Sequence, residues 1–268
     1  MNSGESAAAT ALFWILLAVP LGAFVVYPVS MAAYSRLRRP LRAPDGIETW
    51  PRLTLIISAY NEEAVIRRRL LNALRLRYPA DRLEILVATD GSTDRTDAIV
   101  ESFAGQGVRL LRSARNRGKT AALNDAVCAA RGEILVFSDA NSLYSRDALE
   151  RLARWFALRE VGCVCGRLRY TDGGRGAGGR GERRYWNFDT RLKRWEGASG
   201  ALLGANGAIF ALRRELAEPI GGEQSNDMVW PILARLRGFR VVFEPRAVAR
   251  EETAGSARGE GRRKARII

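Results

Sequence analysis

Three carboxylates stand where runs of strand-forming residues stop. Asp139 follows the apolar run 134–137 and is itself followed by Asn141; Asp90 follows the run 83–89, and Glu62 follows the run 53–58. In an open parallel sheet, ligands bind at the carboxyl edge of the strands. A carboxylate there with a nearby amide oxygen suits a hard divalent cation carrying a phosphorylated substrate. Asp and Asn also close strands in ordinary turns, so Asp139 and Asn141 alone leave both uses open. Three carboxylates along one edge are harder to obtain from turns. The chain has no histidine in its 268 residues. That removes the commonest general base, the serine triads built on it and most transition-metal sites, so acid–base and metal chemistry falls to carboxylates.

The elements that must position these groups alternate regularly. Strand 53–58 leads through Tyr60 and Glu62 into a helix reaching about residue 77, with apolar positions Ala64, Val65, Leu70, Leu71 and Leu74, stopped by Tyr78-Pro79. Strand 83–89 turns at Asp90-Gly91-Ser92-Thr93-Asp94, where Ser92 or Thr93 is placed to cap the next helix. Strand 108–111 precedes a helix over 119–130, and strand 134–137 precedes a helix over 146–158. Four strand–helix repeats predict an α/β fold with a doubly wound, mainly parallel sheet. The pattern then changes. A strand over 162–171, a flexible glycine-rich loop over 173–181 and an amphipathic helix over 186–198 come first. The turn Gly204-Ala205-Asn206-Gly207 leads into a short strand over 208–212, residues 224–227 introduce a helix ending at Gly238, and the last strand spans 240–244. The basic run 258–268 carries no stop signal and reads as breaking off within an element.

Lys and Arg number 43 against 29 Asp and Glu, an excess that invites a polyanion or an anionic membrane as partner. Cys128, Cys163 and Cys165 include no C-x-x-C spacing and read as buried thiols in a reducing compartment. No charge occurs between Glu5 and Arg36, and the apolar stretch 11–34 is long enough to span a bilayer. A signal peptide is the rival, but no basic residue precedes the stretch and it exceeds the usual apolar length. Pro20 and Pro28 are expected to kink the helix. Arg36, Arg38, Arg39 and Arg42 follow it, so the positive-inside rule places the amino terminus outside and the remainder in the cytoplasm, as a single-pass protein of the inner (plasma) membrane. The expected division is a short exposed 1–10, a transmembrane 11–35, a basic linker 36–52, a catalytic domain 53–250 and a basic membrane-proximal 251–268.

In order and spacing, AYNEE, DGSTD, RNRGKTAALNDA, FSDAN, GANGAIFALRR, and SND followed by GFRVVFEPRAVAREET resemble the family-2 inverting glycosyltransferases of GT-A fold. The resemblance runs from about Leu53 to Arg266. It implies that Tyr60 and Glu62 contact the uracil or ribose of a nucleotide sugar, that Asp90 holds the base, that Lys119 sits near the nucleotide, and that Asp139 binds the metal bridging the diphosphate, with Asn141 where most members have a second Asp. An amide oxygen still ligates Mg²⁺ or Mn²⁺, with one negative charge fewer. Gly204, Asn206 and Gly207 resemble the acceptor-side loop, and Asp227 the catalytic base. Plainer uses exist for each: a cap or turn former at Glu62, Asp90 and Asp227, a solvated lysine at Lys119, a turn at the glycines. For Asp227 the two uses are compatible.

The resemblance implies transfer from a nucleoside-diphosphate sugar, with UDP the expected nucleotide, to a saccharide or lipid-linked acceptor in polysaccharide or envelope-glycan synthesis. Polymerising members carry a Gln-x-x-Arg-Trp motif and further transmembrane helices beyond this point, and neither is present in this sequence, which leaves processivity open. The arginines flanking the apolar helix and at the carboxyl end are expected to meet anionic lipids. Two other classes compete: a sugar nucleotidyltransferase, which releases pyrophosphate, and a membrane-tethered nucleic-acid-binding module. No recognisable nucleic-acid motif accompanies the charge, so no nucleic-acid partner is expected.

Overall fold

A computed structural model describes residues 3–37, 41–171, 177–200 and 202–252. Most of the chain builds one eight-stranded sheet with helices on both faces. The first four long strands are β1 (Leu53–Ala59), β2 (Leu83–Asp90), β3 (Val108–Ser113) and β4 (Ile134–Asp139). They alternate with α3 (Ile66–Ala73), α4 (Thr96–Glu101), α5 (Lys119–Ala129) and, after a two-residue strand β5 (Leu143–Tyr144), α6 (Ala148–Arg154), which follow the helices α1 (Ser3–Leu21) and α2 (Tyr27–Leu37). The later elements are β6 (Val161–Tyr170), α7 (Ala177–Ala198), β7 (Phe210–Arg213), α8 (Asn226–Leu236) and β8 (Arg240–Glu251).

The strand order is β3-β2-β1-β4-β7-β6-β8-β5. The β3-β2-β1-β4 half is parallel throughout, as right-handed crossovers produce. The second half is mixed: β7 runs antiparallel between β4 and β6, β8 parallels β6, and β5 returns antiparallel at the edge. β1, β2 and β4 are buried on both faces over most of their length, which is why they read as apolar runs, while β3 lies at the edge and is partly open. Leu55, Ile57, Val87 and Val136 point into one core under α3 and α6. Ile56, Leu86, Leu135 and Phe137 point into the other, where Phe137 stacks on Phe210 at 4.7 Å and meets Trp230 of α8 at 4.6 Å between ring centroids.

Several local expectations are corrected. Helix α3 stops at Ala73 rather than near 77, the chain tightening into three-residue turns from Arg75 to Asn72 and Leu76 to Ala73. On it Leu71 is 42% exposed while Arg69 is fully buried. Neither Ser92 nor Thr93 caps α4; the Asp94 carboxylate accepts the Thr96 N–H at 2.9 Å, and Ser92 Oγ accepts from Asn61 instead. Of the three cysteines Cys163 and Cys165 are buried, but Cys128 is exposed. The last strand extends to Glu251 because β5 and β6 both pair with its second half. In the glycine-rich stretch, residues 177–181 belong to α7, while residues 173–176 lie outside the described residues, as do Arg38, Arg39 and the basic run 258–268.

Helices α1 and α2 are continuous through a π turn at Gly22–Val26, just after Pro20, whose missing N–H breaks the regular hydrogen-bond ladder. Thr10–Leu37, 28 residues, is long and apolar enough to cross a membrane, and nearly all of its surface is open. It leans on α7: the Tyr27 hydroxyl donates to Glu196 Oε1 at 2.7 Å, and Phe24 lies 6.2 Å from Phe188.

Candidate functional site

Register brings the carboxylate-bearing strand ends together. Ala59 pairs with Thr89 across β1–β2, and Ser58 pairs with Asp139 across β1–β4, so the three strands finish on one edge. A cavity of about 440 Å³ opens there, lined by Tyr60, Glu62, Asp90, Lys119, Asp139 and Asn141 together with Asn116 and Gly118. Asp139 is the last residue of β4 rather than lying beyond it.

The turns after β1 and β2 are laced to each other, which aims Tyr60 and Glu62 at the cavity. Asn61 adopts a left-handed conformation at φ 53°, which an asparagine tolerates because its short amide bonds locally. Its Oδ1 accepts the Thr93 N–H at 2.8 Å, and its own N–H donates to Ser92 Oγ at 3.2 Å. The Glu62 N–H donates to Thr96 Oγ1 at 2.8 Å. Asp90, nearly buried, accepts the backbone N–H of Arg117 at 2.9 Å and of Gly118 at 2.8 Å, one on each oxygen. It therefore holds the loop that opens α5 and presents Lys119, and each oxygen keeps a second lone pair for a ligand. This close approach explains Gly91, at φ 69°: a Cβ there would lie 2.4 Å from the Arg115 carbonyl carbon.

Asp139 Oδ1 accepts from Lys119 Nζ at 2.5 Å and from Ser58 Oγ at 3.4 Å. Burial works against the Lys119 ammonium, but Asp139, with Asp227 and Glu251 further off, carries its pKa above the ordinary value. Beneath Asp139 lies Arg69, which the apolar pattern of α3 did not single out. Its Nε and Nη2 donate to Ser138 Oγ at 3.3 and 3.1 Å, its Nη1 donates to Asn72 Oδ1 at 3.1 Å, and its guanidinium sits 4.6 Å from the Tyr144 ring centre. Burial lowers its pKa to about 10, opposed by Tyr144 and Asp139. The available signal was its spacing on one helical face with Ile66, Leu70 and Ala73.

Asp139 and Asn141 supply hard oxygen donors, and among the described residues no group of three or more His, Cys, Asp or Glu side chains converges to enclose an ion. That donor set fits a divalent cation that keeps its remaining positions for phosphate oxygens and water, the usual manner of Mg²⁺.

The residues expected on the acceptor side form a second group, away from the cavity wall. Asp227 is not the N-cap of α8; that position is Ser225, and Asp227 is the second helical residue. It staples the 204–207 loop: its carbonyl accepts the Ala205 N–H at 2.7 Å and its Oδ2 the Gly207 N–H at 3.0 Å, while the Ser225 hydroxyl donates to Oδ1. Gly207 faces this carboxylate so closely that a Cβ would lie 3.0 Å from Oδ2, and a Cβ on Gly204 would lie 3.0 Å from Met228 Sδ. Asn206 is buried and structural, its Nδ2 donating to the Gly166 carbonyl at 2.7 Å and its Oδ1 accepting from Lys193 Nζ at 2.6 Å. Lys193 also donates to Asp189 at 3.0 Å. Its pKa is raised: burial opposes the charge, but Cys165, Asp189 and Asp227 outweigh it. As an i,i+4 pair on an amphipathic helix, Asp189 and Lys193 read as a solvated face, and only packing shows otherwise. The two groups meet through Thr120 Oγ1, which donates to the Gln224 carbonyl at 3.0 Å, and through Lys119, within range of both Asp139 and Asp227.

Known proteins resemble this chain in sequence and fold. The chain is 27% identical over 223 residues to a probable glycosyltransferase, YdaM, of Bacillus subtilis, covering 78% of this chain and 52% of that protein. It is 26% identical over 244 residues to poly-beta-1,6-N-acetyl-D-glucosamine synthase of Staphylococcus aureus, covering 88% of this chain and 57% of that one. The chain thus spans about half the length of these curated relatives. Among solved structures, the mannosyltransferase PcManGT of Pyrobaculum calidifontis, in complex with GDP-Man and Mn²⁺, superposes with a TM-score of 0.78 at 29% identity, covering 96% of this chain and 71% of that chain. The sheet with its carboxylate-lined edge is therefore a GT-A fold, preceded here by one apolar helix. The sequence profile of glycosyl transferase family 2 matches residues 54–221, across the strand ends that form the cavity and on through the 204–207 loop, and the chain belongs to that family of glycosyltransferases.

Proposed function

We propose that the protein is a membrane-anchored inverting glycosyltransferase that moves a sugar from a nucleoside-diphosphate donor to a saccharide or lipid-linked acceptor. The observation that carries this reading is the convergence of Tyr60, Glu62, Asp90, Lys119, Asp139 and Asn141, from separate segments, on one cavity at the edge of the parallel strands. Tyr60, Glu62 and Asp90 are assigned to the nucleoside, and Lys119 to the phosphates, where a compact cation suits an oxygen-rich anion. Asp139 and Asn141 would hold Mg²⁺ or Mn²⁺, whose charge offsets that of the departing diphosphate. A relative's complex with GDP-Man and Mn²⁺ supports the metal and leaves UDP and GDP as rival nucleotides.

Asp227 is assigned as general base. It is held between the Gly207 N–H and the Ser225 hydroxyl, and it is partly open to solvent. Inversion by direct displacement needs a group to take the acceptor hydroxyl's proton as that oxygen attacks the anomeric carbon, and a chain without histidine supplies a carboxylate. Gly204 and Gly207 let acceptor and backbone approach closely. The 28-residue apolar helix anchors the catalytic domain to the membrane with the domain on the arginine-rich, cytoplasmic side, and anionic lipids meet those arginines.

Thermal-shift screening of the detergent-solubilised chain against UDP- and GDP-sugars with Mn²⁺ or Mg²⁺ tests the donor assignment, since donor binding raises stability by mass action. No shift with any donor would defeat it. Product analysis separates sugar transfer, which releases a nucleoside diphosphate, from nucleotidyl transfer, which releases pyrophosphate. Carbonate washing should leave the protein in the membrane; release by carbonate, or a carboxyl-terminal reporter on the outer side, would overturn the topology.

A further inference from the structure

The acceptor-side half contains an arginine cluster that neither the motifs nor the donor site accounts for. On β6, Arg167 and Arg169 lie two apart and share a face with Cys163 and Cys165, the face that α7 covers through Gly197 and Phe243. Register places Arg250 of β8 directly beside Arg169. On α7, Arg194 follows Lys193, whose ammonium donates to the Asn206 that bonds Gly166, and its charge bears on Arg167. None of the four pairs with a carboxylate among the described residues, and the Arg167 Nε is buried without a hydrogen-bond partner. Burial, then the charges of Arg169 and Arg194, push the Arg167 guanidinium below its ordinary value. Nearby carboxylates are committed elsewhere: Asp189 to Lys193, Glu196 to Tyr27, and Glu251, on the opposite face of β8, to Ser142.

Arg167 is half-buried with an unpaired Nε, while Arg169, Arg194 and Arg250 around it are exposed and open to an incoming ion; an anion relieves the repulsion among them, and guanidinium groups match phosphate oxygens in bidentate fashion. The cluster also sits beside the acceptor-side loop, since the Asn206 side chain bonds to the carbonyl of Gly166, the residue preceding Arg167. We propose that Arg167, Arg169, Arg194 and Arg250 form a phosphate site that receives an anionic group on the sugar acceptor, next to the hydroxyl that is glycosylated. This deepens the transferase reading and rests on it. A neutral glycan would leave the site unfilled, so the acceptor carries a phosphate ester close to its reactive hydroxyl, either on a lipid held at the membrane by α1 and α2 or on a soluble molecule.

The test uses the full chain in detergent micelles and calorimetry with two probes, inorganic phosphate and micelles doped with phosphatidic acid. Wild type is compared with the double variant Arg169→Gln/Arg250→Gln, both exposed positions. The expected result is anion binding by wild type that weakens at least about tenfold in the variant, and that falls with added salt. Tighter binding of the lipid probe supports a membrane-borne acceptor, and equal binding supports a soluble phosphate ester. Binding of neither probe by wild type, or a variant within about twofold of it, would overturn the site. UDP and GDP with Mn²⁺ serve as a separate arm: unchanged affinity in the variant shows that the donor cavity is intact, whereas absence of nucleotide binding in both proteins would defeat the donor assignment and leave the phosphate site standing on the anion result.

Discussion

The two halves of the sheet reach their binding surfaces by different means. In the parallel half, Glu62, Asp90 and Asp139 each stand at or just past the end of a strand, strand register brings those ends to one edge, and hydrogen bonds between neighbouring turns fix their aim. In the mixed half, the group around Asp227 is drawn from β6, α7, the 204–207 loop and the start of α8, and tertiary hydrogen bonds through Asn206, Lys193 and Asp227 hold it together. One half is organised by local sequence, the other by packing. A donor with a constant nucleotide can use a cavity built from strand ends, whereas surfaces assembled from loops and helices are free to vary with the acceptor.

Variants that act on one half and spare the other test that division. The largest effect is expected from Asp139→Ala, which should abolish Mn²⁺-dependent binding of the nucleoside diphosphate in calorimetry. Wild-type binding that survives EDTA would show that the metal is not needed there. Next, Asp227→Asn should slow transfer by roughly 10²- to 10⁴-fold while nucleotide affinity stays nearly normal. Near-wild-type transfer would reduce Asp227 to a loop staple and turn attention to Glu223, which is exposed; Glu196 is already engaged by Tyr27. Lys193→Met strips Asn206 and Asp189 of a partner and should cost about 1–3 kcal/mol in denaturant unfolding, without changing nucleotide affinity. A parallel loss of nucleotide binding would mean that the halves are not separable. The smallest effect belongs to Asn141→Asp, which restores a charge and should tighten metal binding by on the order of 1 kcal/mol or less, as for partly exposed ion pairs.

The same contrast governs what could be read before folding. The strand–turn–carboxylate units around Glu62, Asp90 and Asp139 are contiguous, so periodicity and turn chemistry reveal them. Arg69 does not stand out in the sequence because it follows Arg67 and Arg68, and arginines on an amphipathic helix normally face water; here Ser138 and Asn72 satisfy its donors inside the core. Neither Ser92 nor Thr93 caps α4, since both are drawn to Asn61 across the neighbouring loop, and the Asp94 carboxylate receives the Thr96 N–H instead. Glycines in 177–181 suggested a loop, as their helix propensity does, yet the backbone there continues as α7.

By itself, then, the amino-acid order determined the alternation of the first four strands and helices, the apolar span at the amino terminus, and which carboxylates stand at the strand ends. Each depends on residues close together in the chain. Only the tertiary structure decided that β7 inserts antiparallel between β4 and β6, that the partly buried Lys193 bonds Asn206, that Asp227 is tied to Gly207, and that Arg250 lies beside Arg169. Those outcomes join residues from separate elements of the chain. Hydrophobic periodicity says which face of an element is covered, but not by which other element, so long-range pairing and the burial of charge are settled only when the faces pack.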